Sequence, residues 1–344
     1  MRVLITGASG FIGSHIAHAL TGRGHTVRGL VRTTSDVRNL DGAGIERVIG
    51  DILDPASLDA AMAGCDLVFH TASPYTYWGI PEKDLFETTV AGAQHALQAA
   101  HRQGVKRFVL TSSSVVAGST HEARALGEAE TMPLDDEPAY VRAKAAQEQA
   151  VLDLGRALGI ETVAIRPTVT VGGPDHGPTE SNRMVVRYLS DPMKATWIGG
   201  ANVVGVEDVA AGHLLIAERG EPGGSYVLGG ENLAWPAIHR LISELTGLPG
   251  PWITAWETSA VVAAAAYEFA SRLTGKPPPS SREQARMVGR YYWYDDTPAR
   301  TLGYRPASTR QALARALSWL VASDHIPNDL RARLRLAPEV YAVR

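Results

Sequence analysis

Short apolar, β-branched runs alternate with longer helical patterns along the first half of the chain. The runs are "RVLITG", "HTVRGLVR", "DLVFHTA" and "KRFVLTSS", and helices are predicted from Phe11, near Pro55 to Ala63, and from Glu82 to Arg102. This alternation is typical of βαβ units, in which helices cover both faces of a parallel sheet. The pattern predicts an α/β fold with a Rossmann-type doubly wound parallel sheet.

A further helix is predicted by "DDEPAYVRAKAAQEQAVLDLGRALG", which begins with acids and a proline and ends at Gly159; the strand "ETVAIRP" follows. Tyr140 and Lys144 are four residues apart on this helix, so their side chains are neighbours on one face. A nearby ammonium favours the phenolate, and the pair could exchange a proton with a ligand. This spacing often arises by chance, so taken alone it favours a packed tyrosine and a solvated lysine.

The alternation of predicted strands and helices ends after Pro167, where "TVTVGGPDHGPTE" is rich in glycine and proline. We therefore expect a dinucleotide-binding domain over residues 1–166. Residues 167–325 are expected to form mainly a smaller C-terminal substrate-binding lobe, with segments that return to the first domain. Residues 326–344 are basic and predict a tail that lies on the surface or docks as a helix. The apolar run "SAVVAAAAYEFA" from Ser259 is too short to span a bilayer and predicts a buried helix.

The composition is that of an ordinary globular protein. Its 344 residues include 33 lysines and arginines against 36 acids, so no excess charge attracts nucleic acid or a membrane, and we expect neither as a partner. Cys65 is the only cysteine, which excludes an intramolecular disulfide, and no residue spacing predicts a metal site. The start "MRVLITGASG" lacks the apolar run of a signal peptide. We expect a cytoplasmic monomer or homodimer.

A glycine-rich turn joins the first predicted strand to the first predicted helix. The segment "TGASGFIGSHIA" places Gly7, Gly10 and Gly13 in this turn, with Phe11 and Ile12 between them. Glycines there allow a close backbone approach, and the helix N-terminus offers free N–H groups to a pyrophosphate. The turn predicts dinucleotide binding by these five residues.

The end of the second strand bears on the choice of cofactor. An acid that reads the ribose 2′-hydroxyl of NAD would stand roughly 20 residues after the glycines, and Arg32 occupies that place. A guanidinium can pair with a 2′-phosphate, so the sequence predicts a preference for NADP(H). The alternative is that Asp36 takes the role of the acid and that NAD(H) is used.

Together these segments resemble an extended short-chain dehydrogenase/reductase. The motifs that carry the resemblance lie between residues 1 and about 173: "TGASGFIG", "GDILDP", "VFHTAS", "TSSSVVAG", "YVRAK" and "RPTVTVGG". The chain is most similar to the branch of dihydroflavonol reductases, cinnamoyl-CoA reductases and 3β-hydroxysteroid dehydrogenases. The resemblance implies that Tyr140 is the catalytic acid/base and that Ser113 orients the substrate, with Ser112 and Ser114 as the alternates. It also implies that Lys144 lowers the tyrosine pKa and holds the nicotinamide ribose.

The resemblance implies further cofactor contacts. Asp51 and Ile52 correspond to a pair that contacts adenine, Ala72 lies where the backbone nears the ribose, and Pro167 and Thr170 border the nicotinamide. For Asp51 the alternative is a helix cap before the nearby proline.

Some segments depart from the family pattern or point to the substrate. Thr89 and Val169 stand where relatives carry asparagines, the second of which contacts a nucleotide sugar in epimerases. The segment "TASPYTYWG" supplies tentative substrate residues that form either an aromatic lid or ordinary loop packing: Ser73, Tyr75, Tyr77 and Trp78. His176 is a further candidate for a substrate contact. The aromatic cluster Tyr291, Tyr292, Trp293 and Tyr294 could line an apolar pocket.

These observations predict an NADPH-dependent reductase acting on the ketone or aldehyde of an apolar small molecule, with Tyr140 as proton donor. Two alternatives stay open: a nucleotide-sugar epimerase or other isomerase that retains its NAD(P), and a nucleotide-binding protein without turnover.

Overall fold

The computed structural model describes residues 1–342. Its strands are β1 (Arg2–Thr6), β2 (Thr26–Val31), β3 (Glu46–Ile49), β4 (Leu67–His70), β5 (Arg107–Thr111), β6 (Glu161–Pro167), β7 (Val169–Val171), β8 (Ala195–Trp197), β9 (Gly200–Gly205), β10 (Ser225–Leu228), β11 (Glu231–Ala234), β12 (Ile253–Ala255) and β13 (Tyr291–Tyr292). Its helices are α1 (Phe11–Gly22), α2 (Pro55–Met62), α3 (Glu82–Phe86), α4 (Gly92–Arg102), α5 (Ala139–Leu158), α6 (Glu180–Ser190), α7 (Val206–Arg219), α8 (Trp235–Thr246), α9 (Glu257–Thr274), α10 (Arg282–Ala285), α11 (Thr297–Thr301), α12 (Thr309–Ala322), α13 (Asn328–Arg333) and α14 (Pro338–Ala342).

The main sheet has seven strands in the order β10-β6-β5-β4-β1-β2-β3, and every neighbouring pair is parallel. The strand order reverses between β1 and β4. In such sheets ligands bind in the crevice at the carboxyl ends of the strands beside this reversal. The predicted Rossmann-type fold is confirmed.

Two apolar layers hold helices on both faces of this sheet. On β1, Val3 and Ile5 face the layer that includes Ile16 of α1 and Leu214 of α7. Leu4 faces the opposite layer, which packs on α2, α4 and α5. Side chains alternate between faces along a strand, so one short run of consecutive apolar residues serves both layers.

The predicted helix from Glu82 to Arg102 is interrupted by a wide turn. Residues Glu87–Ala91 form a π turn between α3 and α4. Such turns free a backbone carbonyl from the regular ladder. The Thr89 carbonyl accepts a hydrogen bond from Gln147 of α5 at 2.9 Å, so the interruption links this segment to the helix that bears Tyr140.

The second half of the chain is divided between the main sheet and a smaller lobe. Strands β7, β9, β11 and β13 form a second sheet, and β8 pairs with β12. A separate core joins α6, α8 and α12. Helix α7 and strand β10 return to the main sheet from within the range 167–325. The C-terminal segment docks through Leu330 and Val340, both buried; residues 343–344 of the predicted tail lie outside the described residues.

The prediction of a buried helix from Ser259 is wrong. Only Ala264 and Glu268 of α9 are buried, whereas Phe269 and Leu273 are 65% and 74% exposed. The run contains four consecutive alanines, which offer little apolar area for packing against a core. Among residues 1–342, no helix is long and apolar enough to cross a membrane.

Candidate active site

The glycine turn packs directly against the segment after β4. Gly7 has a φ of +69°, and its carbonyl accepts a hydrogen bond from the Gly10 N–H at 2.9 Å. A Cβ on Gly7 would lie 2.7 Å from the Ala72 nitrogen, and a Cβ on Gly13 would lie 2.3 Å from the Gly7 oxygen. The first turn of α1 receives no side-chain cap, which leaves N–H groups for an anion. The turn therefore fits a dinucleotide pyrophosphate.

Tyr140 occupies the first turn of α5, which begins directly after Pro138. Its side chain is buried, and its hydroxyl shares a hydrogen bond with the Ser113 hydroxyl. Burial raises the pKa of Tyr140 above its ordinary value, and the bond from Ser113 acts in the opposite direction.

The Lys144 ammonium is fixed by two acceptors. It donates to the Thr111 carbonyl at 2.8 Å and to Gln147 Oε1 at 2.5 Å. The Gln147 amide in turn donates to the Thr89 carbonyl. Burial lowers the pKa of Lys144 to about 7, and the charge of Glu148 opposes this shift. Sequence reasoning missed Gln147, whose one signal is its position three residues after Lys144 on the same helix.

A cavity of about 870 Å³ joins the glycine turn to these side chains. Its wall contains most of the predicted residues: Gly7, Gly10, Phe11, Ile12, Gly13, Ser73, Tyr75, Tyr77, Ser113, Tyr140, Lys144, Pro167 and Thr170. Val169 also lies in the wall. The opposite side is formed by C-terminal residues that sequence reasoning did not select: Met184, Trp197, Trp235, Ala264, Tyr267 and Met287. Most of the cavity wall is therefore apolar, although the same C-terminal elements also contribute the charged residues Glu180, Arg187 and Asp191.

Two aromatic rings surround the Tyr140 phenol. The ring centres of Tyr75 and Tyr77 lie 5.2 Å and 5.4 Å from that of Tyr140, and 6.0 Å from each other. These tilted and edge-to-face contacts place apolar surface around the hydroxyl, which is the source of the burial that raises its pKa.

Several candidates lie outside the cavity wall. Trp78 is 37% exposed, and its backbone N–H donates to the Thr76 hydroxyl. The backbone N–H of His176 donates to Asn39 Oδ1, and its ring packs edge-to-face on Trp319 with ring centres 6.1 Å apart. Of the cluster Tyr291 to Tyr294, the wall includes Tyr292 and Tyr294 but not Tyr291 or Trp293.

Two arginines follow β2 at the end of the crevice. Arg32 is exposed, its backbone N–H donates to the Ser35 hydroxyl at 3.0 Å, and it makes no salt bridge among residues 1–342. The Arg38 guanidinium binds both oxygens of Asp36, and these bonds lower the pKa of Asp36 to about 2. Asp36, the alternative candidate for reading the ribose hydroxyl, is thus already paired with Arg38. Sequence reasoning missed Arg38 because an exposed arginine carries no pattern of its own.

The predicted adenine contacts follow β3. The Asp51 carboxylate accepts from the Leu53 N–H at 2.9 Å. Helix α2 is capped by Asp54, which accepts from the Ala56 N–H, so the alternative role of Asp51 as the cap is wrong. Ile52 is buried against Gly92, where a Cβ would lie 2.6 Å from Ile52 Cδ1.

The buried histidines near the crevice are engaged within the protein. His70 Nδ1 lies 2.9 Å from the Thr6 hydroxyl, and His213 Nε2 lies 2.9 Å from the Thr111 hydroxyl. Burial lowers their pKa values to about 3 and about 4, so both are neutral near pH 7. Among residues 1–342, no group of three or more histidine, cysteine or acidic side chains could hold a metal ion.

The fold is a parallel sheet whose strand order reverses beside a glycine turn that fits a pyrophosphate. The site adds a buried tyrosine that is hydrogen-bonded to a serine. Together they define a dinucleotide-dependent oxidoreductase of the short-chain dehydrogenase/reductase class. The model of the NAD dependent epimerase/dehydratase family matches residues 3–229. The chain belongs to this family and is an NAD(P)-dependent oxidoreductase of the extended type.

Relatives match over most of the chain. Sterol demethylase protein B of Methylococcus capsulatus is 30% identical over 322 residues, which cover 93% of this chain and 98% of that protein. Cinnamoyl-CoA reductase 2 of Arabidopsis thaliana is 34% identical over 254 residues, which cover 69% of this chain and 74% of the reductase. The crystal structure of gox2253 superposes with a TM-score of 0.83 at 31% identity and covers 95% of this chain and 99% of that chain.

Proposed function

We propose that this protein is an NADPH-dependent reductase that transfers hydride to the ketone or aldehyde carbon of an apolar small molecule. The observation that carries the proposal is the cavity wall, in which Tyr140 and Ser113 stand with a mostly apolar lining that includes Tyr75, Trp197 and Trp235. Pockets of this kind take apolar ligands and orient them with a few polar groups. The names of the relatives, a cinnamoyl-CoA reductase and a sterol demethylase protein, are consistent with such substrates.

The polar groups of the cavity account for the proton transfer. Tyr140 donates its proton to the carbonyl oxygen as that oxygen becomes an alcohol, and Ser113 donates a hydrogen bond to the same oxygen. Both side chains are already joined by a hydrogen bond. When bound, a reduced nicotinamide would supply the hydride. Lys144 would hold its ribose hydroxyls, and the lysine charge would favour the phenolate that Tyr140 leaves behind.

The preference for NADPH rests on the residues after β2. Arg32 and Arg38 lie in the segment after β2, where the ribose of the nucleotide is expected, and the Arg38 guanidinium pairs with Asp36. A free carboxylate there would repel the phosphate, whereas guanidinium groups form bidentate hydrogen bonds with it.

The reaction is tested on the purified full-length protein in three steps. The nucleotide retained after purification is identified first. The absorbance of added NADPH is then followed with apolar ketones, aldehydes and UDP-sugars, and the products are analysed. We expect stoichiometric loss of NADPH with an apolar carbonyl compound.

Other outcomes identify the alternatives. Tightly retained NAD with inversion at C4 of a UDP-sugar and no net redox change would overturn the proposal in favour of an epimerase. Nucleotide binding without reaction across the panel would indicate a non-catalytic protein. Val169 in the cavity wall lacks the amide that a sugar nucleotide would use, which favours the reductase.

A further inference from the structure

One side of α9 presents apolar side chains to solvent. Val262, Phe269 and Leu273 are exposed by 67%, 65% and 74%. A helix turns about 100° per residue, so these three positions lie on the same side, with the exposed Ala265 and Ala266 between them. We call these five residues the outer face of α9. Exposed apolar patches of this kind mark interaction sites on otherwise polar surfaces.

The opposite side of α9 belongs to the cavity. Ala260, Ala264 and Tyr267 line its wall, and they project roughly half a turn away from the outer face. One helix therefore separates an apolar cavity from an apolar surface.

Two exposed tryptophans lie in the segment just before α9. Trp252 and Trp256 are 67% and 65% exposed. Indole rings combine an apolar body with a polar N–H, and they are typical of the boundary between lipid and water.

The charge of this region differs from that of the whole chain. Residues 257–290 hold five basic and three acidic residues, although acids outnumber bases overall. Of the three acids, Glu268 is buried and paired with Arg282 at 2.7 Å, Glu283 is half-buried, and Glu257 is exposed. Three exposed cations make no salt bridge within the described part of the chain: Arg272, Lys276 and Arg286. Apolar residues beside unpaired cations complement an anionic lipid surface.

We propose that the outer face of α9, together with Trp252 and Trp256, docks on the surface of an anionic phospholipid bilayer. The helix lies in the interface and does not cross the membrane. This inference replaces the sequence expectation of no membrane partner, which rested on the charge of the whole chain and on an apolar run expected to be buried. It does not depend on the proposed reaction.

The test is co-sedimentation of the full-length protein with vesicles. We expect binding to vesicles of phosphatidylcholine mixed with phosphatidylglycerol and much weaker binding to phosphatidylcholine alone. The double substitution Phe269→Ser/Leu273→Ser should weaken binding by at least about tenfold, because it removes apolar area that would become buried in the bilayer on docking. Arg272→Gln and Lys276→Gln should each weaken it by about fivefold. Ile49→Ser, at a 59% exposed position on β3, is the matched control and should change nothing.

Two further measurements show whether the outer face of α9 binds a lipid surface or a second copy of the chain. Vesicles should shift tryptophan emission to shorter wavelength, and Trp252→Phe/Trp256→Phe should remove most of that shift. Absence of binding to the mixed vesicles would overturn the proposal. So would a dimer in sedimentation velocity that Phe269→Ser/Leu273→Ser dissociates, because the outer face would then be a contact between two copies.

Discussion

Individual side chains in the cavity have properties that depend on a few contacts. Tyr140 is buried among aromatic rings with a raised pKa, and Lys144 is buried with its pKa lowered to about 7. The sequence indicated both residues, because their four-residue spacing on one helix is visible in the motif "YVRAK". Gln147 and Arg38 could not be predicted, since each matters only through a partner that the fold brings close. Trp78 and His176 illustrate the converse: sequence proximity to the site did not place them in the cavity wall.

Replacing Tyr140 by Phe should lower kcat by roughly two to four orders of magnitude, the range expected for loss of a positioned acid/base. The substitution keeps the ring and its contacts with Tyr75 and Tyr77, so the affinity for NADPH should be nearly unchanged. Steady-state kinetics and nucleotide titration measure the two effects separately. Full activity in this variant would remove Tyr140 from the mechanism.

Replacing Arg32 by Asp should reverse the preference between NADPH and NADH, because a carboxylate repels the 2′-phosphate. Loss of one charge-assisted pair predicts a roughly 10- to 100-fold weaker affinity for NADPH. Arg38→Gln should act in the same direction, since it also frees the carboxylate of Asp36. Dissociation constants for both nucleotides provide the measurement, and an unchanged preference in Arg32→Asp would show that this cation does not read the phosphate.

Gln147 should act as a positioning residue for Lys144. Gln147→Leu removes an acceptor from a buried ammonium, so the pKa of Lys144 should fall further and the lysine should be neutral at pH 7. We expect kcat/KM for NADPH to fall about tenfold at pH 7. Because the charged form returns as the pH falls, the loss should be smaller at pH 6. Gln149→Leu, exposed on the same helix, is the control, and equal losses at both pH values would indicate a merely structural role.

Helices and strands differ in how well the sequence predicted them. Helices α1, α2 and α5 were predicted because their starts, apolar spacing and stops agree, and α5 ends at Gly159 in the left-handed conformation as expected. The π turn within the helix from Glu82 was not predictable, since its cause is the contact with α5. Helix α9 was misjudged because an apolar run does not reveal whether a core or a cavity lies beside it.

The junction between β1 and α1 provides a paired test with two glycines of one element. Gly13→Ala should lower the melting temperature and weaken nucleotide binding, because the new Cβ would lie 2.3 Å from the Gly7 oxygen. Gly22→Ala meets no atom within 4 Å at the other end of α1 and should stabilise the protein by about 0.5–1 kcal/mol through helix propensity. Thermal unfolding with and without NADPH measures both effects. Similar behaviour of the two variants would contradict the close packing of this turn.

At the scale of the whole molecule, the sequence predicted the sheet but not how the chain closes the cavity. The cofactor side comes from local turns after consecutive strands, and each turn carries its own signal. The far wall combines α6, β8, α8, α9 and the segment before β13, which meet only through long-range packing. No local pattern encodes such contacts, so the C-terminal half of the site had to come from the structure.

Glu128 joins two distant parts of the molecule and should make stability depend on pH. Its carboxylate accepts from the Val227 N–H of β10 at 2.7 Å, and burial raises its pKa to about 7. The folded state therefore binds an extra proton between the ordinary pKa of a glutamate and about 7, so stability should fall as the pH rises through this range.

Replacing Glu128 by Gln should remove that dependence. The variant should exceed the wild type in stability at pH 8 by about 1–2 kcal/mol and match it near pH 4, where both side chains are neutral. Glu130→Gln is the control, because Glu130 is exposed and its bonds to Arg124 and Gly127 lower its pKa. Thermal unfolding at several pH values measures the difference, and parallel profiles for wild type and Glu128→Gln would contradict the assignment.

The position of β10 at the edge of the main sheet has a consequence for synthesis. This strand pairs with β6, yet the residues of β7, α6, β8, β9 and α7 lie between them along the chain. A nascent chain that ends anywhere before residue 225 exposes one side of β6 with its backbone N–H and C=O groups unpaired. Unpaired strand edges are sites of aggregation. Ribosome-bound fragments that end before β10 should therefore depend on chaperones, and fragments that include β10 should not.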